Sequence, residues 1–336
     1  MGLKVTFLYP DFFQYDEERF LPEGRIYLGI AYLSAFLKSE GHHTSLIHLV
    51  QPIQQEELLR RVREESPDLL AVSSTSHMFP HIMRWMDWIK EEMDVFTICG
   101  GAHATIDPEG ALKEARLDAI CLGEGEEALA ELCAALEEDR DPSKIASLWL
   151  RRGEEVHRNP IRPLIEDLDS LPFPDRDIFD PALFCPQQHE RGTLMASRGC
   201  PYSCTYCSNH VQRSIYPNRD KYVRFRSVDH VMREVRHIIE SDTQGELRYI
   251  RFDDDILTLD PEWFRELARR YRDEVELPFI CNSRVNVLDE DTVRLFAQAG
   301  CSVICMGIES GNEDLRRKVL RRHMSNQNIV KAFKLC

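Results

Sequence analysis

Short apolar runs alternate with amphipathic segments along the first 140 or so residues. The runs are rich in β-branched and aromatic residues and end at Pro, Gly or Ser, which is typical of buried strands, while the segments between them have helical spacing. The predicted strands are 4–9, 44–49, 68–73, 95–99 and 119–122, and the predicted helices are 28–38, 54–65, 78–93, 108–115 and 126–136. Strands that are apolar on both faces need helices on both sides, so the pattern predicts a doubly wound, Rossmann-like α/β domain over residues 1–140.

Residues 141–190 interrupt this alternation and hold seven of the 17 prolines. The apolar triplet Leu148–Leu150 and the segment Glu155–His157 flank Arg152-Gly153, which predicts a small hairpin. The acidic, proline-rich stretch that follows, Glu166–Asp177, and the residues beside it are too apolar for a solvated linker. We interpret this stretch as an ordered strap between two domains.

From residue 191 to residue 336 the alternation resumes with four β/α units. Predicted strands are 194–196, 247–252, 279–281 and 302–308, and predicted helices are 228–240, 261–272, 289–299 and 313–322. Strand 302–308 is as apolar as a central parallel strand, yet two further units would need roughly 60 more residues. We therefore expect a partial β/α barrel with strand 302–308 at an open edge, from a truncated sequence or a chain that a partner completes.

Charge and apolar run length exclude several function classes. Lys and Arg number 42 against 57 Asp and Glu, and the net charge of −15 opposes a general nucleic-acid-binding surface. The longest apolar run, Tyr27–Leu37, spans about 11 residues, which is too short to cross a bilayer. The 11 cysteines are an odd number without a secretion signal, so we expect a reducing cytoplasmic compartment.

Cys200, Cys204 and Cys207 stand apart from the other cysteines, most of which fall in apolar runs. Three thiolates at this spacing on one loop can reach three corners of a [4Fe–4S] cube and leave the fourth iron open to a ligand. Structural zinc is the alternative, because His210 could supply a fourth ligand.

The spacing C-x₃-C-x₂-C, with Tyr206 before the last cysteine, resembles the signature of the radical S-adenosylmethionine (SAM) superfamily. The resemblance implies that the open iron binds SAM and that an electron from the cluster breaks the sulfonium bond to release a 5′-deoxyadenosyl radical. It also implies that Tyr206 lies near the adenine. An electron donor such as flavodoxin or ferredoxin and a small-molecule substrate are implied as partners.

The same resemblance implies cofactor contacts at the ends of the later strands, which form the catalytic rim of β/α barrels. The matching positions are Asp253, Asp254, Asn282, Arg284, Glu309 and Ser310. Asp253 and Asp254 would contact the methionine amine, whereas Asp255 is equally consistent with a turn. Arg284 would pair with the methionine carboxylate, and Glu309 and Ser310 would bind the ribose.

The first domain resembles that of the cobalamin-binding class of the superfamily. Polar and glycine-rich loops follow its third, fourth and fifth strands; their candidate cobalamin-binding residues are Ser73, Ser74, Thr75, Ser76, Gly100, Gly101, His103, Gly123, Glu124, Gly125 and Glu126. Taken singly, each loop is also adequately explained as a tight turn or helix cap. The loop after the first strand, Pro10–Tyr15, lacks the Asp-x-His-x-x-Gly motif, so cobalt should have no histidine ligand from it. The strap segment 166–174 resembles the connector of these proteins.

These features together predict a cobalamin-dependent radical SAM enzyme with a [4Fe–4S] cluster, SAM and cobalamin as cofactors. Methyl transfer to an unactivated carbon is the leading hypothesis. A radical cyclase or rearrangement enzyme on the same scaffold, similar to those of tetrapyrrole synthesis, is the first alternative. A non-catalytic corrinoid carrier or sensor is the second, although all three cluster cysteines are present.

Overall fold

A computed structural model describes residues 2–14, 20–22, 26–114, 116–183, 190–243 and 245–336. Tyr15 of the first loop and residues 184–189 of the connector lie outside these ranges. The chain forms two compact units. The first comprises Met1–Ile165, Leu171–Gln188 and Ile215–Pro217, and the second comprises Glu166–Ser170, His189–Ser214 and Asn218–Cys336. The hairpin and most of the strap therefore belong to the first unit.

The first unit is built on a seven-stranded sheet in the order β4-β1-β5-β6-β7-β8-β9. Its strands, with the separate two-stranded ribbon β2–β3, are β1 (Lys4–Pro10), β2 (Phe12–Gln14), β3 (Phe20–Pro22), β4 (His43–Leu49), β5 (Leu69–Ser73), β6 (Phe96–Gly100), β7 (Ala119–Cys121), β8 (Leu148–Arg152) and β9 (Glu155–Arg158). The first five strands in the sheet order run parallel, while β8 and β9 form the predicted hairpin and extend one edge antiparallel. The carboxyl ends of β5, β6 and β7 consequently lie at one edge of the sheet.

Helices cover this sheet and bury its apolar strands. They are α1 (Leu28–Ser39), α2 (Gln55–Glu65), α3 (Phe79–Glu92), α4 (Gly101–Ile106), α5 (Pro108–Glu114) and α6 (Glu126–Glu137). Trp85 on α3 is fully buried in one core with Leu8 and Val72 of the strands. Burial of such large side chains stabilises the unit by about 1.5–3 kcal/mol per residue.

The second unit contains a four-stranded parallel sheet in the order β10-β13-β14-β15. Its strands, with the short antiparallel pair β11–β12, are β10 (Thr193–Leu194), β11 (Ser197–Arg198), β12 (Arg224–Phe225), β13 (Ile250–Phe252), β14 (Phe279–Ser283) and β15 (Cys301–Met306). Its helices are α7 (Asn209–Ile215), α8 (Val228–Ser241), α9 (Pro261–Glu274), α10 (Glu290–Gln298), α11 (Glu313–Lys318) and α12 (Asn326–Leu335). Side chains of Ser227, Asp260, Asp289, Asn312 and Ser325 cap five of them.

The predicted fold class is confirmed. Strand β15 borders no further strand in the part of the chain that the structure describes, and Val303 on it is 49% exposed, as expected for an open edge. An incomplete barrel also predicts an unusually exposed cysteine loop, but Cys204 is buried, and it contacts side chains from the residue after β14 and from the segment after α11. Among the described residues, no helix is both long and apolar enough to cross a membrane.

Candidate functional site

The three cysteines lie on a loop that leaves β11 through Gly199. Gly199 has a φ of +91°, and a Cβ there would meet the Tyr222 carbonyl oxygen at 2.3 Å, so only glycine fits. Cys204 is buried, whereas Cys200 and Cys207 are half-buried. Burial raises the pKa of the Cys200 thiol. A thiolate at this position therefore needs a cation, such as iron, to stabilise it.

These cysteines line one wall of a cavity of about 460 Å³ in the second unit. Predicted residues that line it are Tyr206, Asn282, Arg284 and Glu309, and it is also lined by Tyr202, Asn209, Asp255, Ile256, Ser283, Cys305, Met306, Gly307 and Arg322. Strand ends and the cysteine loop thus meet at one polar space. Its volume is in the range of small-molecule and cofactor sites.

Two guanidinium groups donate to the Cys204 sulfur. Nitrogen Nη1 of Arg284 and Nη1 of Arg322 each lie 3.7 Å from Cys204 Sγ. Arg284 is 3% exposed and stacks over the Tyr202 ring at 3.8 Å. No carboxylate of the described residues forms an ion pair with either arginine, and the Nε atoms of both are buried without a hydrogen-bond partner there. A buried guanidinium without a carboxylate partner, such as that of Arg284, requires an anion, and a cysteine-bound iron–sulfur cluster is one.

The aromatic ring before the last cysteine is held by a contact from far along the chain. Arg322 Nη1 donates to Tyr206 Oη at 2.7 Å, and its Nη2 donates to the Gly307 carbonyl at 2.6 Å. Burial raises the pKa of Tyr206, and a hydrogen bond to Glu309 acts in the same direction. Sequence analysis missed Arg322, because nothing in its own neighbourhood distinguishes it from the adjacent basic residues.

The three consecutive aspartates point in different directions. Asp254 is 1% exposed and accepts hydrogen bonds from the Ala196 amide at 3.1 Å and from the Ser197 hydroxyl. Burial raises its pKa to about 6 despite these bonds. Asp253 pairs with Arg251 at 3.3 Å at the surface. Only Asp255 lines the cavity, where it accepts from Asn209 Nδ2 at 2.9 Å.

The cofactor roles predicted for Asp253 and Asp254 therefore find no support in this geometry, which favours Asp255. The reason is the alternation of side chains at the end of β13. Asp254 turns inward and ties this strand end to Ala196 and Ser197, which precede the cysteine loop. It is placed to position the loop rather than to touch a ligand.

Some residues at the ends of β14 and β15 line the cavity, and others only support the backbone beside it. Asn282 lines the cavity and donates to the Asp254 carbonyl at 3.0 Å. Glu309 lines it with a φ of +67°, a conformation that costs a non-glycine residue energy and is concentrated at functional sites. Ser310 does not line the cavity; its hydroxyl accepts from the Asn312 amide at 3.1 Å at the start of α11.

The residues proposed for the zinc alternative do not form a compact ligand group. His210 Nδ1 lies 2.6 Å from the Cys207 carbonyl oxygen, so this nitrogen donates to the backbone. No three Cys, His, Asp or Glu side chains of the described residues converge as ligands of one ion. Thiolates that bind different irons of a cube need no such convergence.

In the first unit, the loops after β5 and β6 brace each other. The Ser74 amide donates to the Gly100 carbonyl at 3.1 Å, and the His103 amide donates to the Ser74 carbonyl at 3.0 Å. Gly101 has a φ of +87°, and a Cβ there would meet the Ser74 backbone at 2.9 Å. This glycine allows the close approach of two loops.

Thr75, Ser76 and His77 are exposed at this edge, and His103 Nδ1 lies 3.1 Å from Ser76 Oγ. Ser73 is half-buried and donates to Tyr27 Oη at 3.3 Å. The exposed groups are the ones available to a ligand from solvent. The remaining polar atoms of these two loops serve mainly to hold the loops together.

The loop after β7 is occupied by contacts within the first unit. A Cβ at Gly123 would meet Tyr216 Oη at 2.1 Å, and the Glu124 amide donates to that oxygen at 3.0 Å. Glu124 Oε2 accepts from the amide of Ile165, the residue just before the strap, at 2.9 Å. Gly125 packs near Leu33, and Glu126 is 5% exposed. These four residues have structural roles here, and their predicted contact with cobalamin stays a prediction.

Two domain families match the chain. A B12 binding domain matches residues 26–133, and the radical SAM superfamily domain matches residues 194–336. The chain is 28% identical to an uncharacterised methyltransferase of Pyrococcus horikoshii over 85% of its own length. It is 24% identical over 98% of its length to the cytidylyl-2-hydroxyethylphosphonate methyltransferase of Streptomyces wedmorensis. It is 25% identical over 85% to the anaerobic magnesium-protoporphyrin IX monomethyl ester cyclase of a Synechocystis species.

The chain spans 61%, 70% and 57% of the length of these three relatives. Among solved structures, it is similar to the methyltransferase TsrM from Kitasatospora setae with cobalamin and a [4Fe–4S] cluster bound. The TM-score is 0.74 at 17% identity over 100% of this chain and 67% of TsrM. It is also similar to the cobalamin-dependent SAM radical enzyme OxsB with aqua-cobalamin bound, with a TM-score of 0.78 at 21% identity over 99% of this chain and 48% of OxsB.

The structural likenesses agree with the fold, and the two domain matches together take in most of the sequence. The family predicted from the cysteine spacing and the first domain is confirmed, and the two domain matches agree with the predicted cobalamin and SAM cofactors. The chain belongs to the cobalamin-dependent radical SAM family, whose enzymes use cobalamin, SAM and a [4Fe–4S] cluster.

Proposed function

We propose that this chain cleaves SAM reductively at a [4Fe–4S] cluster held by Cys200, Cys204 and Cys207, and that it transfers a methyl group to an unactivated carbon of a small molecule. The observation that carries the reductive cleavage is the cavity that these cysteines share with the buried Arg284 and the half-buried Arg322. The cluster supplies the electron, SAM the radical and methyl group, and cobalamin the methyl carrier when they are bound.

The lining residues supply both charges and hydrogen-bonding groups for SAM. Arg284 and Arg322 provide positive charge next to Cys204, and Asp255 and Glu309 provide carboxylates that line the same cavity. An ammonium group would be stabilised by the carboxylates and a carboxylate by the guanidiniums. Asn282 adds a side-chain amide to the lining. This donor set fits a zwitterionic amino-acid moiety joined to a nucleoside.

The exposed edge of the first unit fits the polar periphery of a corrinoid. Thr75, Ser76 and His77 are exposed there, and His103 stands beside Ser76. After β1, Asp11 is buried and its carboxylate lies 2.7 Å from His48 Nε2. This part of the first loop therefore offers a buried contact between a carboxylate and an imidazole instead of a cobalt ligand. It supports cobalamin binding without a histidine from that loop.

Methyl transfer is favoured because the relatives named above include two methyltransferases, one of them similar over 98% of this chain. The cyclase of the Synechocystis species, similar over 85%, favours radical ring closure as the second candidate. A low-potential donor such as flavodoxin or ferredoxin would deliver the electron in either case.

The two reactions differ in the products that SAM leaves. The anaerobically reconstituted 336-residue chain, loaded with cobalamin and given dithionite and SAM, should release both S-adenosylhomocysteine and 5′-deoxyadenosine if it transfers methyl groups. A cyclase should release 5′-deoxyadenosine alone. Iron-free chain serves as the control. Absence of 5′-deoxyadenosine from chain that has bound a full cluster would contradict reductive cleavage itself.

A further inference from the structure

The three cysteine sulfurs have different hydrogen-bond donors. Cys207 Sγ accepts from the neutral Asn209 amide at 3.7 Å, and Cys200 accepts from the Tyr202 backbone amide. Cys204 Sγ instead accepts from the charged Arg284 and Arg322 side chains. Arg213 also donates to this loop, but to the Pro201 carbonyl and the Ser203 hydroxyl, so among the described residues the charged donors to sulfur are all at Cys204.

Arg322 is held at this position by several independent contacts. Its two Nη atoms donate to Tyr206 Oη and to the Gly307 carbonyl. The segment before it is bound to the cysteine loop itself, because the Thr205 amide donates to the Leu320 carbonyl at 3.1 Å and the Thr205 hydroxyl to the Val319 carbonyl at 2.8 Å. Arg321, next to Arg322, is exposed and has a φ of +48°. The chain thus adopts a strained turn that directs the following guanidinium to Cys204.

We propose that Arg322, supported by Arg284, raises the reduction potential of the cluster by donating charged hydrogen bonds to the Cys204 thiolate; this inference rests on the proposed function. Reduction adds one electron from an external low-potential donor such as dithionite or reduced flavodoxin, with no bond made or broken and no proton transferred. A cluster with three thiolates is already anionic, so the added electron is resisted by the existing negative charge. Adjacent guanidinium charge stabilises the reduced state more than the oxidised state. Arg322 is a positioning residue in this assignment, since it acts through Cys204.

The test is an EPR-monitored redox titration of the anaerobically reconstituted chain, with iron and sulfide content measured in parallel. Arg322→Gln removes the charge and should shift the midpoint to more negative potential. At a fixed ambient potential we expect about a tenfold lower ratio of reduced to oxidised cluster, which for a one-electron couple is about 59 mV. Arg322→Lys retains the charge and should stay nearer the wild type.

Arg321→Gln is the matched control, because it removes the same charge from the neighbouring exposed position. A wild-type midpoint in Arg322→Gln, or an equal shift in Arg321→Gln, would overturn the proposal. Loss of iron from both Arg322→Gln and Arg322→Lys would also overturn it, since Arg322 would then act in cluster assembly. Failure of the wild-type chain to hold a cluster would instead disprove the proposed function on which this inference depends.

Discussion

Arg322 donates a hydrogen bond of 2.7 Å to the phenol oxygen of Tyr206, a residue 116 positions earlier in the chain. The contact joins the segment after α11 to the aromatic residue of the cysteine loop. It therefore connects the last β/α repeat that the structure describes to the cysteine loop, which lies near the start of the same compact unit.

Replacing Cys200, Cys204 or Cys207 with Ala should abolish both full cluster assembly and reductive cleavage of SAM. Two thiolates cannot hold a cube that is bound by protein at three irons. Iron analysis and 5′-deoxyadenosine release after anaerobic reconstitution measure the two effects. Cys305→Ala is the matched control, because Cys305 lines the same cavity outside the cysteine loop and should retain both properties. Wild-type cleavage by Cys204→Ala would refute the assignment.

Substitutions at Asp254 and Asp255 should have separate consequences. Asp255→Asn should weaken SAM binding with little change in the midpoint of thermal unfolding, because Asp255 faces the cavity. Asp254→Asn should chiefly change stability, since Asp254 is buried against the backbone before the cysteine loop. Isothermal titration and thermal unfolding distinguish the two. Loss of SAM binding in Asp254→Asn, with a change of stability only in Asp255→Asn, would instead assign the cofactor contact to Asp254.

Asp254 should also make the free energy of unfolding depend on pH. Its folded-state pKa of about 6 lies above the ordinary value of 3.8, so the folded protein binds the proton more tightly than the unfolded chain. Asp254 therefore contributes to the free energy of unfolding below pH 4, and this contribution is lost as the pH rises through 6. The loss is on the order of 3 kcal/mol. Denaturant unfolding between pH 4 and pH 6 should show the wild type losing stability relative to Asp254→Asn. A constant difference between the two would contradict this assignment.

Glu309→Gly should raise stability while lowering SAM affinity. Glu309 has a φ of +67°, and glycine relieves this left-handed conformation by about 1 kcal/mol. Its carboxylate lines the cavity, so its removal should weaken binding of the cofactor. Glu309→Ala, which keeps the strain, should lose affinity without the gain in stability. Unchanged affinity together with a sharply lower melting temperature in Glu309→Ala would favour a structural role.

Gly101→Val should lower the melting temperature and, with it, cobalamin binding. The new side chain would meet the Ser73 and Ser74 loop at 2.8 to 2.9 Å, so the effect is a distortion of two braced loops. Ser76→Ala changes only an exposed group and should weaken cobalamin binding without loss of stability. Anaerobic titration of corrinoid uptake and thermal unfolding provide the two readouts. Absence of uptake by the wild-type chain would argue decisively against the proposed site.

The sequence by itself determined the alternation of elements, the two kinds of unit and the cysteine loop. These features depend on local patterns: apolar periodicity, turn residues, and a spacing of three and two residues between thiols. Counting the β/α units in the sequence also gave the four parallel strands of the second sheet and the edge position of β15. The ends of β14 and β15 were recognisable as rim positions for the same reason, and Asn282, Arg284 and Glu309 line the cavity there.

Only the tertiary structure decided which of those rim residues face the cavity and which hold it together. Asp253, Asp254 and Asp255 have the same chemistry, and the backbone path after β13 alone sends the third to the cavity. The glycines of the first unit proved to serve contacts with Ser74 and Tyr216, whose proximity no local pattern encodes. Arg322 reaches Cys204 across 118 residues because folding brings the segment after α11 against the cysteine loop. Long-range packing sets such contacts, so their partners become visible only when the chain is folded.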